Sequence, residues 1–287
     1  MSDDFDGVES NDGGLESDEN MELMDDEASD ELFEDEASEE LCNGVEQDKK
    51  EEDSLTSGGD FEKDEFQCKT DDSGNIYVKN DNLLPDNSYE LNGNTYKTDD
   101  KGRIVSCTAK PVLSPENPRD SEAQLKSGGT YRRENDQGGH IVGRDMNGDG
   151  GVGNLIPMDS KINQSDYKRM EHDVKSSLEK NKEVTTQTDI TYTGDSQRPD
   201  SITTRVTVDG KDTVYRFDNN LDGSLRAVVP ENGRELVDDT LEETGGVISS
   251  IKESYDEKGN LQKTEVCITY TDENGKNQRE KQVIENK

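Results

Sequence analysis

The stretch that decides the fold runs from Asn135 to Glu171, NDQGGHIVGRDMNGDGGVGNLIPMDSKINQSDYKRME. His140, one of two histidines in the chain, directly follows Gly138-Gly139. Glycines there let the backbone approach a ligand closely and aim the imidazole outward. Ile141-Val142 continues as a short apolar strand, Gly-rich residues 148–153 make a tight loop, and Asn154-Leu155-Ile156 returns as a second strand. From Asp166 to Asn181 the apolar residues Tyr167, Met170, Val174 and Leu178 recur at helical spacing, with Asn163 or Ser165 as the expected cap. The order is strand, loop, strand, helix, with a His on the first strand and an Asn at the helix entrance.

Outward from this core, short runs rich in Val, Ile, Thr and Tyr alternate with turns at Asp71–Gly74, Asp99–Gly102 and Asp256–Gly259. Asp opens such a turn and Gly takes its positive-φ position, so each marks a hairpin. Expected strands are Asn75–Lys79, Leu91–Lys97 and Arg103–Thr108 before the core, and Val184–Thr193, Ser201–Val208 and Thr213–Phe217 after it. SYDEKGNLQKTEVCITYTDENGK (254–276) parallels TYTGDSQRPDSITTRVTVDGK (191–211) in strand and turn order. The parallel reads either as a duplicated meander extending the sheet or as two unrelated hairpin pairs.

Only 26% of the 287 residues are hydrophobic and 36% are charged, which is lean for one packed body. Residues 1–66 hold 28 acidic and 3 basic residues, −25 of the formal −36. They read as a disordered, solvating tail, with a transient helix conceivable where Met21, Met24, Ala28 and Leu32 share a helical spacing. Such charge repels a phosphate backbone at long range. Residues 119–182, with 11 basic and 11 acidic side chains, are the least repulsive window. Cys42, Cys68, Cys107 and Cys267 form no C-x-x-C pair, so a zinc knuckle is not expected. Neither a signal-peptide pattern nor an apolar run of membrane-spanning length is present, which implies synthesis in the cytoplasm and, if the chain is secreted, export by a specialised system.

Three features of the core carry a family resemblance: the D-x-G-G-H run Asp136–His140, the Asn154-Leu155-Ile156-Pro157 strand, and Asn163 with Glu171. Together they resemble the DNA/RNA non-specific endonucleases, in the branch found as domains of bacterial polymorphic and type VII-type secreted toxins. TYKTDDKGRIVS (95–106) is similar to the strand–turn–strand which that branch places ahead of its core, and the resemblance spans about residues 89–219. It implies an α+β, ββα-metal (His-Me finger) nuclease core with an antiparallel sheet. The expected division is a tail at 1–67, the endonuclease domain at 68–219 and a β-rich extension at 220–287.

The resemblance implies His140 as general base, with Asn163 and Asn154 as the metal-holding residues and Glu171 holding a metal-bound water. Magnesium, or manganese in its place, is the expected cation. The residues agree with this chemistry. A neutral imidazole can activate water near pH 7, and a neutral Asn leaves the cation's charge available to the phosphate. Many relatives carry Arg where this chain has Gln137, so a phosphate-contacting charge must come from elsewhere; Arg144, Arg132 and Arg133 are the candidates. Asp136 is expected to support the site from behind or to form a turn. Lys161, Lys168 and Arg169 either line the substrate groove or belong to a solvated helix face. His172 reads as solvated. Asp145–Gly150 imitates a calcium loop, but Ile156 stands where that loop needs a bidentate Glu.

The expected activity is metal-dependent hydrolysis of DNA and RNA without sequence preference, in an antibacterial toxin with a cognate immunity protein. The alternatives are a scavenging or DNA-uptake nuclease and a surface protein with an inactive core. YDEKGNL (255–261) resembles a single YD-type repeat of large toxin shells.

Overall fold

A computed structural model describes residues 67–286; the expected acidic tail and its transient helix lie outside them. Strands β1 (Cys68–Thr70), β2 (Ile76–Lys79) and β3 (Asn82–Leu83) form a small antiparallel sheet. Strands β4 (Ser88–Leu91), β5 (Asn94–Thr98) and β6 (Ile104–Ala109) open a larger one. Helix α1 (Ser121–Lys126) follows, its first turn capped by the Asp120 carboxylate, which accepts the Ala123 N–H at 2.8 Å. The chain then builds the antiparallel pair β7 (Asp136–His140) and β8 (Leu155–Asp159), a π-helical turn (Ile162–Tyr167) and helix α2 (Lys168–Glu179). Next come β9 (Val184–Thr191), β10 (Ser201–Val208) and β11 (Lys211–Asp218). Helix α3 (Glu231–Thr244) precedes β12 (Val247–Tyr255), β13 (Leu261–Thr271) and β14 (Asn277–Glu285).

Nine of these strands form one antiparallel sheet in the order β14-β13-β12-β11-β10-β9-β6-β5-β4. Period-two alternation decides which face is buried. On β5, Asn94, Tyr96 and Thr98 are buried while Thr95 and Lys97 are exposed; on β10, Ile202, Thr204 and Val206 are buried while Arg205 is exposed. The main core joins this face to β8 and α2 through Tyr96, Ile156, Met158, Ile162, Tyr167 and Phe217. A second core under α3 contains Val237, Ile248, Ile251, Val266, Ile268 and Ile284. The sheet passes without interruption from β11 to β12, with Thr213 opposite Ser254 and Phe217 opposite Ser250. The C-terminal strands therefore share a sheet with the core.

Two expectations are corrected, and the extension holds one element more than expected. Leu91–Lys97 is not one strand, because Asn92 and Gly93 both adopt positive φ and make the hairpin turn between β4 and β5. The helix begins before Asp166. Asp159 accepts the Lys161 N–H at 2.9 Å, and both expected caps fall inside the π-turn. The C-terminal extension contains helix α3 as well as strands. Its apolar signal is interrupted by Gly233, where a Cβ would stand 2.1 Å from the Ile284 side chain.

Candidate active site

The β7–β8 pair and the helix after it form a ββα unit around His140. Its loop is held by aromatic residues of β2, β4 and β5. Tyr77, Tyr89 and Tyr96 stack with ring centroids 4.8 and 5.3 Å apart. The Tyr89 hydroxyl donates to the Gly153 carbonyl at 2.8 Å, and the Tyr96 hydroxyl donates to Asn154 Oδ1 at 3.0 Å.

The His140 imidazole hydrogen-bonds the backbone of Gly150, which raises its pKa, yet the net shift is downward to about 4. Burial is the largest cause, and the positive charges of Arg144 and Arg119 add to it. The ring is therefore neutral at pH 7. Nε2 is buried without a hydrogen-bond partner, so the Gly150 contact falls to Nδ1. One ring nitrogen is anchored and the other keeps a lone pair, the arrangement required of a general base. Gly150 fits only as glycine, since a Cβ would meet the Pro118 carbonyl at 1.8 Å.

Helix and strand meet in register. Asn163 Oδ1 rests 3.0 Å from where a Gly139 Cβ would stand. The Tyr167 hydroxyl donates to the Ile141 carbonyl at 2.8 Å. Glu171 Oε1 lies 3.1 Å from where a Gly143 Cβ would stand. Helix positions 163, 167 and 171 thus face 139, 141 and 143. Gly139 is bonded to His140, so Asn163 lies against a residue whose Cα is about 3.8 Å from that of the base.

Asn163 Nδ2 donates to Gln137 Oε1 at 2.7 Å, and no donor among the described residues reaches Oδ1. Gln137 thus fixes which end of the Asn163 amide is free. Glu171 has no hydrogen-bonding or ion-pairing partner among the described residues. Burial and the nearby Asp145 charge push its pKa up to about 7, against the opposing effect of Lys168. It lines a small cavity with Ile141, Val142, Met146 and Met170.

A hard divalent cation fits this donor chemistry: a free amide oxygen, and a carboxylate whose raised pKa a nearby cation would relieve. No group of three or more His, Cys, Asp or Glu among the described residues could cage a metal, so any ion held here would keep several waters.

The structure puts several expected site residues elsewhere. Asn154 is fully buried, with Oδ1 accepting from Tyr96 and Val142 and Nδ2 donating to the Val142 and Asp149 carbonyls. Its oxygen has no lone pair left for an ion, so it braces the loop, a correction to its expected metal role. Arg132 spends its guanidinium on the Gln124, Ser127 and Asp136 carbonyls, and Arg133 reaches Asn220 at 2.9 Å. Arg169 turns to Cys267, 3.7 Å away. Arg144 pairs with Glu116 at 3.0 Å while its charge still reaches His140. Lys161 is half-buried and Lys168 exposed, and neither has an ion pair among the described residues. Asp136 is buried in an ion pair with Arg198.

Sequence reading missed Arg119. It is exposed and has no hydrogen-bond or ion-pair partner among the described residues, yet its charge lowers the His140 pKa. Its only sequence signal was its position beside Pro118 and Asp120.

Comparison with known proteins agrees with this geometry. Residues 85–210 match the model of the DNA/RNA non-specific endonuclease family. The type VII secretion system protein EssD of Staphylococcus aureus, in strains USA300, NCTC 8325 / PS 47 and Newman, is 29% identical over 133 residues. That alignment covers 44% of this chain and 22% of each relative. The ββα unit lies within the segment 85–210 that matches this family's model.

Proposed function

We propose that the chain is a divalent-cation-dependent endonuclease that hydrolyses DNA and RNA phosphodiesters without sequence preference. The observation that carries this reading is the partnerless Nε2 of a neutral, anchored His140 beside Asn163, whose amide oxygen is free.

His140 Nε2 takes a proton from water as the water oxygen bonds to phosphorus. The P–O3′ bond then breaks with its electron pair on O3′, which takes a proton from solvent, so the products carry a 3′-hydroxyl and a 5′-phosphate. Asn163 Oδ1 would hold the cation, magnesium or manganese, and Glu171 would orient one of its waters. When bound, the cation would neutralise charge on the phosphate and the departing oxygen. Gln137 holds the Asn163 amide in the orientation that presents oxygen. Arg119 and Arg144 supply positive potential beside the base, and Lys161 and Lys168 would contact substrate.

Similarity to a type VII secretion system protein supports a secreted toxin, which requires a cognate immunity protein in the producing cell. No helix among the described residues is long and apolar enough to cross a membrane. Plasmid and ribosomal RNA degradation with and without EDTA tests the activity. Cleavage of both with magnesium and none in EDTA is expected, and undiminished cleavage in EDTA would overturn the reading.

A further inference from the structure

The C-terminal strands β12, β13 and β14 lie beyond the family segment, which ends at residue 210. Each sends one side chain to the helix that carries Asn163. From β14, Arg279 Nη2 pairs with Asp166 Oδ1 inside the π-turn. From β13, Cys267 Sγ receives Arg169 Nη1 at 3.7 Å. From β12, Lys252 Nζ donates to Asp173 Oδ2 at 2.8 Å, the oxygen that also accepts the Tyr215 hydroxyl at 2.7 Å. Positions 166, 169 and 173 are three and four apart and form one helix face. Positions 163, 167 and 171 form a different face, the one against β7.

We propose that the β12–β14 meander is a positioning element of the nuclease site, with Arg279 as its positioning residue, acting through Asp166 on the π-turn that presents Asn163. A π-turn is a strained insertion that persists where its surroundings hold it, and it recurs at functional sites. Relaxation to regular α-helix would shift the register of Asn163 by one residue, about 100° around the axis. The Asp166 side chain is 2% exposed, and Arg279 Nε and Nη1 are buried without an acceptor. The buried Asp166 charge therefore depends on Arg279, and losing Arg279 strands a carboxylate three residues from the amide that the site uses.

This inference rests on the reading of Asn163 as the cation holder, so the test compares Mn²⁺ binding by electron paramagnetic resonance in four full-length proteins: wild type, Asn163→Ala, Arg279→Met and Arg279→Lys. Arg279→Met is expected to weaken Mn²⁺ binding about 10- to 100-fold, the range for residues that orient ligands. It should lower kcat, leave KM for DNA little changed, and be largely rescued by Arg279→Lys. If Arg279→Met does not fold, the Asp166→Asn/Arg279→Met double variant, which leaves no buried charge unpaired, carries the test with the same expected loss. Wild-type Mn²⁺ affinity in a folded Arg279 variant lacking the charge, while Asn163→Ala binds weakly, would overturn the positioning role alone. Absence of Mn²⁺ binding by wild type, or unaltered binding by Asn163→Ala, would overturn the cation reading and this inference with it.

Discussion

Asp136 and Arg198, 62 positions apart, form a bidentate ion pair, Nε to Oδ2 at 2.7 Å and Nη2 to Oδ1 at 2.9 Å, with side chains 0% and 3% exposed. The same guanidinium reaches the Asn219 carbonyl and Asn220 Oδ1, and Asp136 also accepts the Arg133 N–H. The start of the strand that carries His140 is thereby fastened to two connections of the large sheet. Removing one member of a buried pair strands the other's charge, so Asp136→Leu should cost about 3–5 kcal/mol. Adding Arg198→Met should recover much of it. Urea unfolding checks this, and a double variant no more stable than the single one would contradict it.

Asn154 makes four internal hydrogen bonds and faces no solvent. Asn154→Ala leaves the Tyr96 hydroxyl, the Val142 N–H and the Val142 and Asp149 carbonyls to find new partners, each unmet group costing about 1–3 kcal/mol. The variant should lose stability strongly while its folded fraction keeps Mn²⁺ affinity. Lost affinity at unchanged stability would return Asn154 to the role of ligand.

The ββα order was legible because glycines, apolar pairs and one helical stripe lie within 37 consecutive residues and depend only on local periodicity. His140, Asn163 and Glu171 were legible as a set from family spacing. The brace was not. Arg198 reaches the unit from the β9–β10 connection and Tyr96 and Arg279 from distant strands, and nothing in local pattern marks a polar side chain for burial against a partner tens of residues away. Asn154 was misread for the same reason, since an Asn with all its bonds met inside looks in sequence like an Asn waiting for an ion. The Asn92-Gly93 hairpin was legible and overlooked.

Two titrations set the pH dependence. His140 has a folded-state pKa of about 4 against an ordinary 6.5, so the unfolded chain binds its proton first. Stability from this group is present above about 6.5 and lost as pH falls through 4. The acid limb of kcat/KM should follow the lower value. Arg144→Met removes a charge that depresses the pKa and should move that limb upward; an unmoved limb would contradict the assignment. Glu171 has the opposite sign, raised to about 7 from 4.5. In EDTA its contribution is present below 4.5 and lost as pH rises through 7, so Glu171→Gln should flatten the decline in Tm between pH 5 and 8. An unchanged slope in that variant would show that Glu171 is not the group responsible.

Arg119 stands exposed beside the base without a protein partner among the described residues. Arg119→Ala should raise KM for DNA and reduce the salt dependence of binding by about one phosphate contact. Stability should be unaffected. A salt slope identical to wild type would remove Arg119 from the substrate path.

With His140 as the base, the decisive quantity is the single-turnover rate of plasmid cleavage by His140→Ala at saturating magnesium. The variant should fold as wild type, bind Mn²⁺ with similar affinity, and cleave at least about 10²-fold more slowly, the scale for losing general-base help. Cleavage within a few-fold of wild type by the folded variant would contradict the account.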